Sequence, residues 1–224
     1  FFSVYDLFDI YEPQHKDAVR VTMEQIDVVH KFVAKYSDTF QLAFTSADIQ
    51  NAFENNKIAS LMGMEGGHSI DSSLGALRMF YQLGARYMTL THNCNTPWAD
   101  SCCAGTFPND GLSYFGTQVV QEMNRIGMMV DISHVSEKTM QDVLDTTFAP
   151  VIFSHSNAYA LCETPRNVPD HILEQMQDNG GIVMVNFYPN YVSCQNTSTI
   201  PQVADHIDYI RGKCGDGCVG IGAD

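Results

Sequence analysis

Ile58-Ala-Ser-Leu-Met-Gly-Met-Glu65-Gly-Gly-His68-Ser69 carries an apolar run into a carboxylate, with two glycines directly behind it. A run this apolar fits a strand buried on both faces, as in a parallel sheet. Glu65 then stands at the carboxyl end of that strand, where the glycines let the backbone turn sharply. A carboxylate in that position is costly unless positive charge meets it. Taken alone, it reads as a helix N-cap or as half of a salt bridge. Its meaning depends on what ends the other strands.

Outward from this stretch, strand and helix alternate. Residues 1–6 read as a strand, and Lys16 to Tyr36 as an amphipathic helix with Val19, Met23, Ile26, Val29 and Phe32 at helical spacing. After Glu65, Ser72 or Ser73 caps a helix over 74–83 that stops at Gly84. The strand 86–91 precedes His92, and a long loop then runs from Asn93 to Asp110. A helix over 114–126 stops at Gly127, and the strand 128–133 ends at His134. Ser136 caps a helix to Leu144, with Glu137 and Asp142 on its outer side. The strand 150–154 ends at His155, and a loop through Arg166 leads to a helix over 169–178. The strand 182–188, a helix over 201–213 and the strand 219–224 close the chain.

Helices of this length permit right-handed crossovers between parallel strands. Strand ends at 65, 92, 134, 155, 188 and 224 recur every 30 residues or so, about one unit of a (β/α)8 TIM-type barrel. An open doubly wound sheet is the competing architecture, but it gathers function at one crevice. Here polar residues end five different strands, and a barrel brings such ends into one ring. The expectation is a single barrel domain over 1–224. The chain opens on Phe-Phe-Ser-Val-Tyr, inside a strand, and closes on a strand cut at Asp224. It is therefore expected to lack the first strand of the barrel and the C-terminal part.

The formal net charge of -14 argues against nucleic acid and anionic membrane surfaces as partners. No apolar stretch reaches the length of a membrane-spanning helix. Seven cysteines (94, 102, 103, 162, 194, 214 and 218) fit neither a zinc ribbon nor a CxxC redox site. With the sequon at Asn196-Thr-Ser198, a candidate glycosylation site, they lean toward an oxidising, secretory compartment.

Glu65, His92, His134, His155 and Asp224 stand at the carboxyl ends of the strands. One histidine after a strand is ordinarily a structural hydrogen-bonding residue. Three at successive strand ends, with two carboxylates, fit a hydrolytic zinc site that keeps an open position. A carboxylate such as Glu65 can bridge two metals. His68 is a candidate supporting residue behind the ligands.

At this point the motifs acquire a resemblance. Gly63-Met-Glu-Gly-Gly-His-Ser-Ile-Asp-Ser-Ser-Leu-Gly75, Leu90-Thr-His-Asn-Cys-Asn-Thr-Pro-Trp-Ala-Asp100, Asp131-Ile-Ser-His-Val-Ser136, Val151-Ile-Phe-Ser-His-Ser156, Arg166-Asn-Val-Pro-Asp170 and Val183-Met-Val-Asn-Phe-Tyr188 resemble the renal (membrane) dipeptidases. These are zinc-dependent enzymes related to the amidohydrolase barrels. The likeness runs in order over essentially the whole chain.

The resemblance implies a zinc metallodipeptidase with two Zn2+ per complete chain. Glu65 would bridge them, His134 and His155 would hold one, and Asp224 would belong to the other and move protons. The family's first strand would supply a His-x-Asp pair to that second zinc, and that strand is the one expected to be missing ahead of Phe1. His92 and Arg166 correspond to substrate residues: His92 would steady the oxyanion, and Arg166 would bind the free C-terminal carboxylate of a dipeptide. Tyr191 matches a position lining the pocket. The implied substrates extend to cysteinyl-glycine conjugates, leukotriene D4 and some β-lactams. Also implied are a homodimer and an extracellular or cell-surface location, with a lipid (GPI) anchor as a feature outside this chain. Cys162 and Cys194 match a family disulfide. Cys94 matches a residue whose partner is absent here, so Cys102 or Cys103 replaces that partner or Cys94 stays a thiol. Cys214 and Cys218 could close a small loop. The alternative function is a non-catalytic binding protein on the same scaffold.

Overall fold

The computed structural model describes residues 2–4 and 17–223. Asp224, His15 and the expected start of the first helix at Lys16 lie outside the described residues.

Seven strands form one parallel sheet: β1 (Phe2–Val4), β4 (Met62–Glu65), β5 (Ala85–Thr89), β6 (Met129–Asp131), β7 (Ile152–Phe153), β8 (Ile182–Val185) and β9 (Val219–Ile221). They are neighbours in the order of the sequence, so there is no reversal of strand order of the kind that creates the crevice of a doubly wound sheet. Between them run α1 (Ala18–Lys35), α3 (Leu74–Gln82), α4 (Tyr114–Ile126), α5 (Glu137–Thr146), α6 (Asp170–Asn179) and α8 (Ile200–Cys214), with a one-turn α7 (Pro189–Val192) after β8. The helix boundaries follow local chemistry. Ser73, Ser113 and Ser136 each accept a backbone N–H three residues on, capping α3, α4 and α5. Gly127 and Gly180 end α4 and α6 in the left-handed conformation.

The apolar run before Glu65 is not one strand. It divides at Leu61: β3 (Ile58–Ser60) pairs with β2 (Phe40–Leu42) in a separate two-stranded sheet, and only β4 joins the main sheet. Between β2 and β3 lies α2 (Ser46–Glu54), closed by a reciprocal capping box of Thr45 and Asp48. Ile58 is 55% exposed, so the run is apolar in composition but buried only from Ser60 onward. The region between Phe40 and Ser60 thus adds a small βαβ unit that hydrophobicity alone does not announce.

The strands are also shorter than their apolar runs. The backbone N–H groups of Ser133 and Ser154 both donate to Asp131 Oδ1, at 3.0 and 2.9 Å. A side chain thus captures donors that would extend β6 and β7. Asp142, expected on the outer side of α5, instead accepts from the Leu112 N–H at 2.9 Å and pairs with Lys138. It pins the loop that precedes α4.

The core is continuous under the helices, from Met64, Leu77 and Phe80 through Val119, Val130 and Met140 to Phe153, Leu173 and Ile210. At its far end His206 on α8 is buried. Its Nδ1 accepts from the Ala158 N–H at 3.1 Å, and its Nε2 lies 2.8 Å from the Val192 carbonyl. The ring therefore carries its proton on Nε2, and a second proton would displace the Ala158 bond. Burial lowers its affinity for that proton, and the bond to Val192 opposes this only in part. A folded-state value below 6.5 means the stabilisation is full above 6.5 and is lost as the pH falls below it. The urea midpoint should fall over that range, and His206→Gln should flatten the fall. A parallel pH dependence in the variant would show that other groups cause it.

Candidate active site

Register brings the site together. Glu65 on β4 lies opposite Thr89 on β5, and Thr89 opposite Asp131 on β6, one row at the carboxyl edge of the sheet. His92 and His134 stand three residues beyond β5 and β6, and His155 two beyond β7. Glu65 Oε1 is 3.2 Å from His134 Nε2 and 3.1 Å from His155 Nε2, and the two Nε2 atoms are 2.8 Å apart. The His92 ring packs edge-on against His134, with centroids 4.5 Å apart. Glu65, His92 and His134 each offer a ligand atom within 4.8 Å of the others, a geometry able to hold a metal ion.

Burial pushes the Glu65 carboxyl up, but the imidazoles of His134 and His155 beside it outweigh burial and hold the group well below the usual range. Burial, with the Arg166 guanidinium adding to it, pushes the His134 imidazolium well down. The favoured state is an ionised carboxylate facing a neutral imidazole. Carboxylate oxygen and imidazole nitrogen then converge with no thiolate among them, a donor set able to hold a metal ion.

The backbone behind these histidines is strained and well held. His134 has φ 64, unusual for a residue with a side chain. Its carbonyl receives the Cys102 N–H at 2.8 Å and the Thr91 hydroxyl at 3.1 Å. Ser101 Oγ sits between both histidine carbonyls, 2.7 Å from His92 and 3.2 Å from His134. The loop carrying Ser101 is tied down by Asp100, whose carboxylate takes the Asn109 and Gly111 N–H groups. Gly67 stands two residues after Glu65, where a Cβ would meet the Leu90 carbonyl at 2.4 Å and the Trp98 ring at 2.6 Å, so only glycine fits. His68 is buried in the 3-10 turn Gly67–Ile70 next to it.

Arg166 reaches the same place from the loop after β7. It is 3% exposed, with its NH2 nitrogen 3.3 Å from the His155 carbonyl and its NH1 nitrogen 3.4 Å from Ser156 Oγ. Its guanidinium lies over the Tyr191 ring at 5.1 Å. Arg166 Nε has no partner, and no carboxylate pairs with this guanidinium among the described residues. Asn167 Nδ2 bridges the carbonyls of Cys162 and Tyr191 at 2.9 and 2.8 Å. A Cys162–Cys194 disulfide ties the same two loops. Cys214 and Cys218 form a second disulfide, and Cys94, Cys102 and Cys103 are thiols. Asn196 is exposed in the loop before α8.

His92, His134, Phe187, Tyr188 and Tyr191 line a cleft over the cluster. Another hollow, lined by Met128, Pro150, Gly181 and Ile182, holds no titratable side chain and is no candidate. The structure thus gathers Glu65, His92, His134, His155, Arg166 and Tyr191, while Asp224 lies outside the described residues. Sequence reasoning gave no role to Ser101, Asp131 and Ser154, although all three stand inside or beside the motifs. Their signal is weak because small polar residues near strand ends are common.

The profile of the membrane dipeptidase family (peptidase family M19) matches residues 1–224. The chain belongs to this family. It is 50% identical over 211 residues to an uncharacterised dipeptidase of Schizosaccharomyces pombe, covering 92% of this chain and 51% of that protein. It is 46% identical over 217 residues to human Dipeptidase 3, covering 95% of this chain and 44% of that one. The chain thus spans about half the length of the curated relatives it matches. Among solved structures, an amidohydrolase from Pseudomonas aeruginosa superposes with a TM-score of 0.89 at 31% identity, over 99% of this chain and 65% of that one. No described helix is long and apolar enough to cross a membrane.

The hold of Ser101 on both histidine carbonyls is open to test. Ser101→Ala removes the hydroxyl proton nearest the His92 carbonyl, together with the acceptor of the Cys103 N–H, and should cost about 1–2 kcal/mol of stability. Faster amide exchange at Cys102 and Cys103 should accompany the loss. Unchanged exchange there would mean that Ser101 does not hold the loop.

Proposed function

We propose that this chain forms the catalytic part of a zinc metallodipeptidase acting on dipeptides with a free C-terminal carboxylate. The observation that carries the reading is Arg166: a buried guanidinium, without a carboxylate partner among the described residues, touching the backbone of a cluster residue. A buried charge is costly until a counter-ion arrives, and guanidinium suits a carboxylate bidentately. A substrate carboxylate fixed there would leave its amide bond facing Glu65, His134 and His155.

Glu65, His134, His155 and Asp224 would hold two zinc ions, with Glu65 shared between them. When bound, the metal supplies polarisation of the scissile carbonyl and a water of lowered pKa. His92 donates toward the oxygen on which negative charge develops. Asp224 takes a proton and returns it to the leaving amine. Tyr191 backs Arg166, and the ring pair it makes with Tyr188, centroids 5.1 Å apart, walls the cleft.

The seven-stranded sheet is read as most of a (β/α)8 barrel; the sequential strand order and the convergence of side chains from β4, β6 and β7 support this. The finer expectations rest on family membership. They are hydrolysis of cysteinyl-glycine conjugates, leukotriene D4 and β-lactams, a homodimer at the cell surface with a GPI anchor, and glycosylation at Asn196.

Two experiments on the full-length protein test the reading. Arg166→Met should lower kcat/KM for a dipeptide by about 10- to 100-fold, and far less for the matching dipeptide amide. Equal loss on both substrates would make Arg166 structural. Glu65→Gln should lower bound zinc, measured by elemental analysis, because a neutral amide no longer balances the cations. Wild-type protein that retains zinc yet cleaves no dipeptide would instead be a binding protein.

A further inference from the structure

Behind His155 lies a chain of hydrogen bonds, buried at Asp131 and half-buried at Ser154, that the reaction above does not use. Asp131 is fully buried on β6. Its Oδ1 accepts the Ser133 and Ser154 N–H groups, and its Oδ2 accepts the hydroxyls of Thr89 and Ser154, both at 2.5 Å. Ser154 Oγ in turn lies 2.7 Å from His155 Nδ1.

The direction of these bonds is fixed by chemistry. A carboxylate only accepts, and a hydroxyl has one proton to give. Ser154 Oγ has two other neighbours able to accept that proton, Ser133 Oγ at 3.5 Å and His155 Nδ1. The short, charge-assisted bond to Asp131 takes it. Toward His155 the hydroxyl can then only accept, so Nδ1 must carry the imidazole proton. Nε2 is left as a lone pair, and Nε2 is the atom 3.1 Å from Glu65 Oε1. His134 differs: its buried Nδ1 has no hydrogen-bond partner, and its Nε2, 2.8 Å from His155 Nε2, is then the donor of that contact until a cation takes the place of the proton.

We propose that Asp131 is a positioning residue that, through Ser154 Oγ, holds His155 as the Nδ1–H tautomer and presents Nε2 to the Glu65 cluster as a ready ligand. Its use for metal binding rests on the reading given above; the tautomer itself does not. Without the relay, a neutral His155 could place its proton on Nε2 and close that position to a cation.

The test separates positioning from mere support of the strands. Asp131→Asn keeps size and keeps an oxygen for the two backbone donors, but its amide N–H2 then faces Ser154 Oγ. The hydroxyl must accept from the amide and donate to Nδ1, which inverts the tautomer. Ser154→Ala removes the relay and leaves the other three bonds of Asp131 in place. Long-range proton–nitrogen spectra of metal-stripped, 15N-histidine-labelled full-length protein read the tautomer, with His155→Gln assigning the signal. Competition with a chelator reads zinc affinity.

The expected results are Nδ1–H in the wild type, a mixture in Ser154→Ala and Nε2–H in Asp131→Asn. Zinc affinity should fall about 10- to 100-fold in Ser154→Ala and further in Asp131→Asn. A wild-type His155 found as Nε2–H, or an Nδ1–H signal unchanged in both variants, would overturn the proposal. If Asp131→Asn does not fold, Ser154→Ala decides alone, a mixture supporting the relay and a single unchanged tautomer refuting it. Wild-type protein that shows Nδ1–H but takes up no zinc would sink the metal reading while upholding the relay.

Discussion

One carboxylate oxygen, Glu65 Oε1, stands within hydrogen-bond reach of two imidazole nitrogens that also touch each other. Groups rich in lone pairs do not gather this closely in a buried place unless the fold forces them. Four parallel strands, β4 to β7, supply the force by ending side by side, and the register sets Glu65 level with Thr89 and Thr89 level with Asp131. The loops then do what the strands cannot. Donors from Cys102 and Thr91 converge on the His134 carbonyl and keep its backbone left-handed. Stability and chemistry share the same few residues here, because Asp131 both ends two strands and lies behind a ligand candidate.

Charge is divided between two neighbouring places. The Glu65 cluster is negative and would be relieved by cations, whereas Arg166 is positive and would be relieved by an anion. Burial, with the Arg166 guanidinium adding to it and Glu65 opposing it, lowers the proton affinity of His134. A substrate bearing one carboxylate and one polarisable carbonyl could satisfy both places at once. The acidic surface, with a net charge of -14, is a separate matter that the site does not explain.

Much of this was legible in the chain. Glu65, His92, His134 and His155 each follow an apolar run, and runs of that kind in alternation with capped helices leave few other arrangements. The serine caps at 73, 113 and 136 and the glycine stops at 127 and 180 mark helix limits directly. The unit between Phe40 and Ser60 was not legible, because Ile58 to Glu65 reads as one hydrophobic strand and only pairing reveals the break at Leu61. The Thr45–Asp48 capping box was the available clue. Asp131 was overlooked because a strand-end aspartate looks like any other. Its four donors come from three separate stretches of chain that meet only after folding.

The Cys162–Cys194 disulfide encloses both Arg166 and Tyr191 within one covalent loop, whereas Glu65 and His134 lie outside it. The part that would recognise a substrate and the part that would transform it are therefore secured by different kinds of bond. The cluster depends on strands and hydrogen bonds alone, and reduction leaves those intact. The distance from the cluster to the guanidinium depends in addition on a bond that exists only where thiols are oxidised. Without that bond, the two segments would be held by non-covalent contacts such as the Asn167 bridge and the stacking of Arg166 on Tyr191. If Arg166 and Tyr191 select the ligand as proposed, that selection would be tied to the redox state of the surroundings more closely than metal binding by the cluster would be.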